Sequence, residues 1–182
     1  IDTVGPAFAA NEVKIADDGE ILVKGENVML GYWNNEEETK KVLNDGWLST
    51  GDVGHFENKY LKITDRKKDI LITPGGENIS PIKIENDLLK IDFVEQTLVY
   101  GDNKPYLVAL LVLNKEKPNI TDEIILKELE IVNKNLSKIE KIKKFIVIKD
   151  QFTIENGLVT PTLKLKRYKI IQKYKNHLEN LY

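Results

Sequence analysis

Two short stretches carry the side chains best suited to chemistry. Thr50-Gly51-Asp52 places a carboxylate directly after a glycine at what reads as a strand end. A carboxylate so placed can accept two hydrogen bonds from a vicinal diol, as carboxylates do for ribose in nucleotide sites. A plain turn explains the same dipeptide, although the preceding Asp45-Gly46-Trp47-Leu48-Ser49 makes the stretch more specific. Asp65-Arg66-Lys67-Lys68-Asp69 is a dense charge cluster between two strand-like runs. It reads either as a solvated linker or as a hinge, a charged junction without buried side chains where a few residues absorb large backbone rotations.

Two further constellations lie downstream. Pro74-Gly75-Gly76-Glu77-Asn78 offers backbone amides unobstructed by Cβ atoms, suited to close approach of a ligand. It lacks the spacing of a Walker or dinucleotide loop, and a strand-to-helix loop explains it equally. In Thr160-Pro161-Thr162-Leu163-Lys164-Leu165-Lys166-Arg167, alternation puts Lys164 and Lys166 on one side of an extended segment and Leu163 and Leu165 on the other. Such a lysine can touch a phosphate and a carboxylate together and stabilise charge developing between them. The plainer reading is a basic start to a helix, since residues 161–182 hold six bases and one acid. No aromatic residues interleave in a base-stacking pattern, so no nucleic-acid partner is expected.

Composition bounds the rest. A chain of 182 residues with 41% hydrophobic content can bury a real core. It has no cysteine and only two distant histidines, so neither a disulfide framework nor a metal-ligand pattern is present. No apolar run approaches a bilayer span and no signal peptide is visible; a cytoplasmic protein is expected. Residues 1–64 hold 12 acids and 6 bases, net −6, and residues 65–182 hold 17 acids and 21 bases, net +4. The sign changes at the Asp65 cluster. Only Arg66 and Arg167 are arginines among 27 basic residues, and arginine's planar fork grips phosphate or carboxylate through two hydrogen bonds.

These residues must be held by elements of two textures. Residues 1–64 read as β-rich: strands at 12–15 and 20–24 around an Ala16–Gly19 turn, and a second hairpin of 53–57 and 60–64. Between them a short helix is capped at Asn34-Asn35, with Thr39, Val42 and Leu43 as its inner face and Asp45-Gly46 as its end. Beyond residues 65–69, taken as the hinge, 70–182 reads as a compact α+β domain. It has a strand at 69–73, a helix opened by Ser80-Pro81 with Ile84, Leu88 and Leu89 inward, and paired strands 94–100 and 106–113. A helix at 121–136, a strand at 145–148 and a terminal helix complete it. The expected class is α+β, with short antiparallel sheets and flanking helices.

Taken in order, these pieces resemble the C-terminal third of an acyl-CoA synthetase of the adenylate-forming superfamily. The resemblance rests on Gly19-Glu20-Ile21-Leu22-Val23-Lys24-Gly25 through Gly31-Tyr32-Trp33, Asp45–Asp52, Asp65–Lys68, Gly75–Pro81 with Ile84-Glu85, and Glu155–Lys164. The Gly-Gly-Glu-Asn-Ile-Ser-Pro and Leu-Val-Thr-Pro-Thr-Leu-Lys forms look most like the long-chain fatty acid branch. The resemblance implies ATP, CoA and Mg2+, with the metal held mostly by substrate phosphates and by a domain upstream. It implies that Asp52 holds the ribose hydroxyls and Arg66 supports the nucleotide. Lys68 is the hinge, Gly75 and Gly76 reach the CoA tunnel, and Lys164 is the catalytic adenylation lysine. Residues 1–64 would be the end of the larger AMP-binding domain, whose missing part is a partner for this chain. The full-length enzyme could also associate peripherally with a membrane.

Two departures keep alternatives open. Many relatives have a glycine before the final lysine where this chain has Leu163, so Lys166 stands beside Lys164. The Gly75-Gly76 loop carries one extra residue relative to luciferase-like patterns. The phosphate loop, acyl pocket and adenine-stacking aromatic of the family are not found, so the piece alone is expected to be inactive. Rival readings are a stand-alone module binding nucleotide, carrier protein or RNA, and a relative that uses an acyl carrier protein as acceptor.

Overall fold

The structure, a computed structural model, describes residues 3–117 and 119–182. The chain divides into two compact units, Ile1–Lys68 and Asp69–Tyr182.

The first unit is an antiparallel sheet. Strands β1 (Asn11–Ile15) and β2 (Glu20–Gly25) form a hairpin whose turn is closed by Gly19 at φ +85°. Helix α1 (Glu36–Val42) follows, its first turn capped by the Asn35 carboxamide accepting from the Glu38 amide at 3.1 Å. Leu43 does not extend this helix, contrary to expectation. With Asn44 it forms β3 (Leu43–Asn44), paired to the start of β4 (Trp47–Glu57). The reason is the turn: Asp45 and Gly46 both take positive φ, +48° and +79°, the geometry of a two-residue hairpin rather than of a helix end. Strand β4 runs without interruption from the turn through Asp52 and pairs with β5 (Tyr60–Arg66). Of the described hydrophobic residues in this unit only Ile21 is buried, while Leu30 and Trp33 lie in the open at 100% and 92% exposure.

The expected linker is only partly a linker. Asp65 and Arg66 end β5, and the Asp65 side chain is buried, against the reading of a junction without buried side chains. A single 3-10 turn, Lys67–Asp69, leads out.

The second unit is built on β8 (Val94–Tyr100), β9 (Leu107–Leu113) and β10 (Ile142–Ile148), with β9 central. The run Leu107-Val108-Ala109-Leu110-Leu111-Val112 is apolar at every position because both faces are covered. Leu107, Ala109 and Leu111 pack under α2 (Pro81–Leu88) and α3 (Asp122–Lys134). Val108, Leu110 and Val112 pack under α4 (Arg167–Glu179) and the Phe152–Val159 segment. Each buried valine or leucine among them contributes roughly 2 kcal/mol. The β8–β9 pair is antiparallel as expected, but β10 runs parallel to β9. The chain returns through α3 before β10, and a helical crossover delivers a parallel strand. A small hairpin, β6 (Leu71–Ile72) with β7 (Asn78–Ile79), precedes α2, which opens as expected with Ser80 as cap and proline in its first turn. Ile84 and Leu88 are buried, whereas Leu89, expected inward, is exposed past the helix end.

A buried ion pair ties the layers of this unit together. Arg167, at the start of α4, gives one terminal nitrogen to Glu85 Oε1 at 2.6 Å and the other to the Val99 carbonyl at 2.8 Å. The same Glu85 oxygen accepts the Val99 amide at 2.7 Å. One carboxylate thus joins α2, β8 and α4. Removing either partner leaves a buried charge uncompensated, so Arg167→Met is expected to lower the unfolding free energy by about 3–5 kcal/mol in a denaturant titration. The double variant with Glu85→Gln should recover part of that loss.

Candidate functional site

The side chains singled out for chemistry lie on both units, and each unit builds its own part. In the first, Asp52 sits at a bulge inside β4 and not at a strand end. The β2–β4 register passes from Leu22↔Ser49 to Glu20↔Val53, so Thr50, Gly51 and Asp52 all lie opposite Ile21. A bulge leaves ladder groups unpaired and re-aims side chains. Gly51 takes φ +72° with open space around it, so backbone conformation is what asks for glycine. Side chains satisfy the freed groups. Glu20 Oε1 accepts the Gly51 amide at 2.9 Å, and Thr50 Oγ1 accepts the Asp52 amide at 3.1 Å while donating to the Ile21 carbonyl at 2.7 Å.

The bulge presents Asp52 across the ladder from Arg66, whose Nε meets Asp52 Oδ1 at 2.7 Å. The two predicted nucleotide residues are therefore brought together, and this arginine grips a protein carboxylate. The Arg66 side chain remains 53% exposed and that of Asp52 23%, so both keep surface open to a ligand beside this contact. Next in the chain, Lys67 Nζ bridges Asp18 Oδ2 at 2.6 Å and Glu20 Oε2 at 2.8 Å. The hydrogen bond from Lys67 holds the Asp18 carboxyl below its usual range, and the carboxylates of Asp18 and Glu20 push the Lys67 ammonium above its own. Lys68, the expected hinge residue, is exposed and ends the first unit.

In the second unit Gly75 and Gly76 lie at the exposed tip of the β6–β7 hairpin, not in a strand-to-helix loop. The turn is closed by the Gly76 amide on the Thr73 carbonyl and the Thr73 amide on the Glu77 carbonyl, both at 2.9 Å. Gly76 takes φ +83°, whereas Gly75 has neither a positive φ nor any contact closer than 3.6 Å to a side chain there. Nothing within this unit explains a glycine at 75.

The Lys164 segment is a tight hairpin and not an extended run, which overturns the expected alternation. Val159 bridges to Leu165, the Thr160 amide donates to the Lys164 carbonyl at 2.8 Å, and the Lys164 amide donates to Thr160 Oγ1 at 2.9 Å. Leu158 and Val159 are buried and Leu165 packs on the same cluster, so both ends of the hairpin are anchored. Its tip is open: Leu163 is 77% exposed, and Lys164 projects beside it. Lys166 is different, half-buried and serving as the residue that starts α4. Leu163 has φ +60°, a left-handed conformation that glycine adopts without cost and leucine does not. The backbone just before Lys164 therefore has the shape that a glycine would take without strain.

Sequence reasoning passed over Glu20, Asp18 and Glu85 as site-building residues. The first two read as ordinary polar positions around a hairpin turn. The arginine count was a usable signal for Glu85, because Arg167 needed a planar acceptor and found it there.

The Leu163 geometry is open to test. Leu163→Gly removes roughly 1 kcal/mol of left-handed strain and adds a similar unfolded-state entropy, so stability should change by less than about 1 kcal/mol. Leu163→Val, branched at Cβ, should cost more in the same urea titration.

The family profile described as "AMP-binding enzyme C-terminal domain" matches residues 68–182. The long-chain-fatty-acid–CoA ligase FadD15 of Mycobacterium tuberculosis is 36% identical over 204 aligned residues, covering all of this chain and 34% of that protein. The long-chain-fatty-acid–[acyl-carrier-protein] ligase AEE15 of Arabidopsis thaliana is 34% identical, covering 90% of this chain and 25% of its own length. The A domain of the carboxylic acid reductase from Segniliparus rugosus, solved with AMP and a co-purified carboxylic acid, superposes with a TM-score of 0.84 at 26% identity, covering 97% of this chain and 32% of that one. The chain thus spans about a third of the length of the relatives it matches. With the profile running over the whole second unit and the fold agreeing throughout, this chain belongs to the AMP-binding enzyme family, whose C-terminal domain it contains.

Proposed function

We propose that this chain is the C-terminal part of a ligase that activates a long-chain fatty acid with ATP and passes the acyl group to CoA. A carboxylate oxygen of the acid attacks the α-phosphorus of ATP; the bond to the β-phosphate breaks and pyrophosphate leaves. The CoA thiolate then attacks the carbonyl carbon of the acyl-adenylate, and AMP leaves with the electron pair of the carbon–oxygen bond.

In this reading the Asp52 carboxylate accepts from the ribose hydroxyls, and the exposed Arg66 guanidinium faces the nucleotide. Lys164 supplies the cation where charge grows between carboxylate and phosphate. Lys68 is the pivot between the two steps. Gly75, which the unit's own packing does not require, leaves room for the CoA chain beside the hairpin tip. Among the described residues no cluster of three ligating side chains could hold a metal ion.

The observation that carries the proposal is the Lys164 hairpin. It is an exposed cation on a backbone fixed at both ends, inside the unit matched by the family profile. The fatty-acid specificity follows the names of the relatives, and the AEE15 name favours a second reading with an acyl carrier protein as acceptor.

The test uses the full-length protein, assayed for pyrophosphate release with ATP and palmitate. Lys164→Ala should lose on the order of 10²–10³ in rate, as for loss of a preorganised electrostatic donor. Preformed acyl-adenylate should still be converted to thioester, and Lys166→Ala should release pyrophosphate normally. Loss in Lys166→Ala alone would move the lysine by two residues. Thioester formation on carrier protein and not on CoA would change the acceptor.

A further inference from the structure

The Glu20 carboxylate occupies a position that its place beside a hairpin turn does not require. It is 8% exposed, and both of its oxygens are engaged by groups far along the chain. Oε1 takes the amide of Gly51, the residue before Asp52; Oε2 takes the ammonium of Lys67, between Arg66 and Lys68. A β-bulge normally leaves its extra amide to water or to chance partners. Here a buried charge holds it, and a buried charge needs its own counter-ion. Lys67 provides that, with Asp18 as a second, exposed partner.

Two consequences follow. The bulge that aims Asp52 at Arg66 is fixed by the Glu20 side chain where the strand ladder does not reach. Lys67 cannot leave without stranding the Glu20 charge in a dry site, so the backbone up to Lys67 stays with the first unit. Any rotation between the units then has to be absorbed from Lys68 onward.

We propose that Glu20 is a positioning residue that sets the Asp52 bulge for the nucleotide and, through Lys67, fixes where the pivot begins. This rests on the reaction proposed above, and part of its test does not.

The experiment uses the full-length protein with Glu20→Gln, Glu20→Ala, Lys67→Met and the double variant Glu20→Gln/Lys67→Met. Three quantities are read: KM for ATP in pyrophosphate release, hydrogen exchange in peptides spanning 49–53 and 65–69, and melting temperature. Glu20→Gln keeps an acceptor for the Gly51 amide but no charge for Lys67. It should leave the ATP KM nearly unchanged and speed exchange at 65–69. Glu20→Ala should raise the ATP KM about tenfold or more, as for a lost hydrogen bond to a charged acceptor, and speed exchange at both peptides. Lys67→Met, which strands the Glu20 charge and also removes the Asp18 pair, should speed exchange at 65–69 at least as much as Glu20→Gln, and adding Glu20→Gln to it should speed it no further, because the Glu20–Lys67 pair is already broken. A lower melting temperature with exchange unchanged at both peptides would overturn the proposal, as would additive effects. Glu20→Gln is close to isosteric and carries the test if Glu20→Ala does not fold. A wild type inactive with ATP and fatty acid refutes the reaction, and the exchange data then decide on Glu20 alone.

Discussion

A carboxylate taken out of water has to be met by hydrogen-bond donors and a cation, and both units of this chain are arranged around that requirement. In the first, Glu20 is met by the Gly51 amide and Lys67. In the second, Glu85 is met by the Val99 amide and Arg167. The two solutions share a form: one backbone amide and one long cationic side chain, at sequence separations of 14 to 82 residues. Each stands next to a segment with chemistry in prospect. Glu20 supports the bulge before Asp52, and Arg167 follows the Lys164 hairpin directly. The charged side chains assigned to substrate in the proposed reaction stand exposed next to charges that are buried and paired.

The units differ in how they are stabilised. The second has a core on both faces of β9 and the size of an independent domain. The first buries a single apolar side chain among its described residues, with Leu30 and Trp33 in the open. Its order comes from the strand ladder, the Asp18–Glu20–Lys67 bridge and the Asp52–Arg66 pair. A sheet of that kind gains stability by covering a face with further protein. Relatives three times as long as this chain have the protein to do so.

Much of this was legible in the amino-acid sequence because the signals were local. Ser80-Pro81, the Asn35 cap, the Gly19 turn and the doubly apolar β9 run each state their structure within a few residues. What escaped was set by distant partners or by strain. Leu43 left its helix because Asp45-Gly46 closes a hairpin. The bulge at Gly51 depends on Glu20, and the direction of β10 depends on how α3 returns the chain. The Lys164 segment looked extended because leucine is a poor advertisement for positive φ, yet Leu163 takes it. Buried carboxylates are the hardest to see, since a glutamate in a sequence looks like a solvated surface residue until its cation is found.

In the proposed reaction Asp52, aimed by the bulge, reads the ribose of ATP. The most direct measurement compares ATP with an analogue lacking both ribose hydroxyls, using the full-length protein and Asp52→Ala. The account predicts that the natural protein favours ATP by about tenfold or more in kcat/KM, and that Asp52→Ala uses the two almost equally. Undiminished discrimination in Asp52→Ala would place ribose recognition elsewhere and contradict the account.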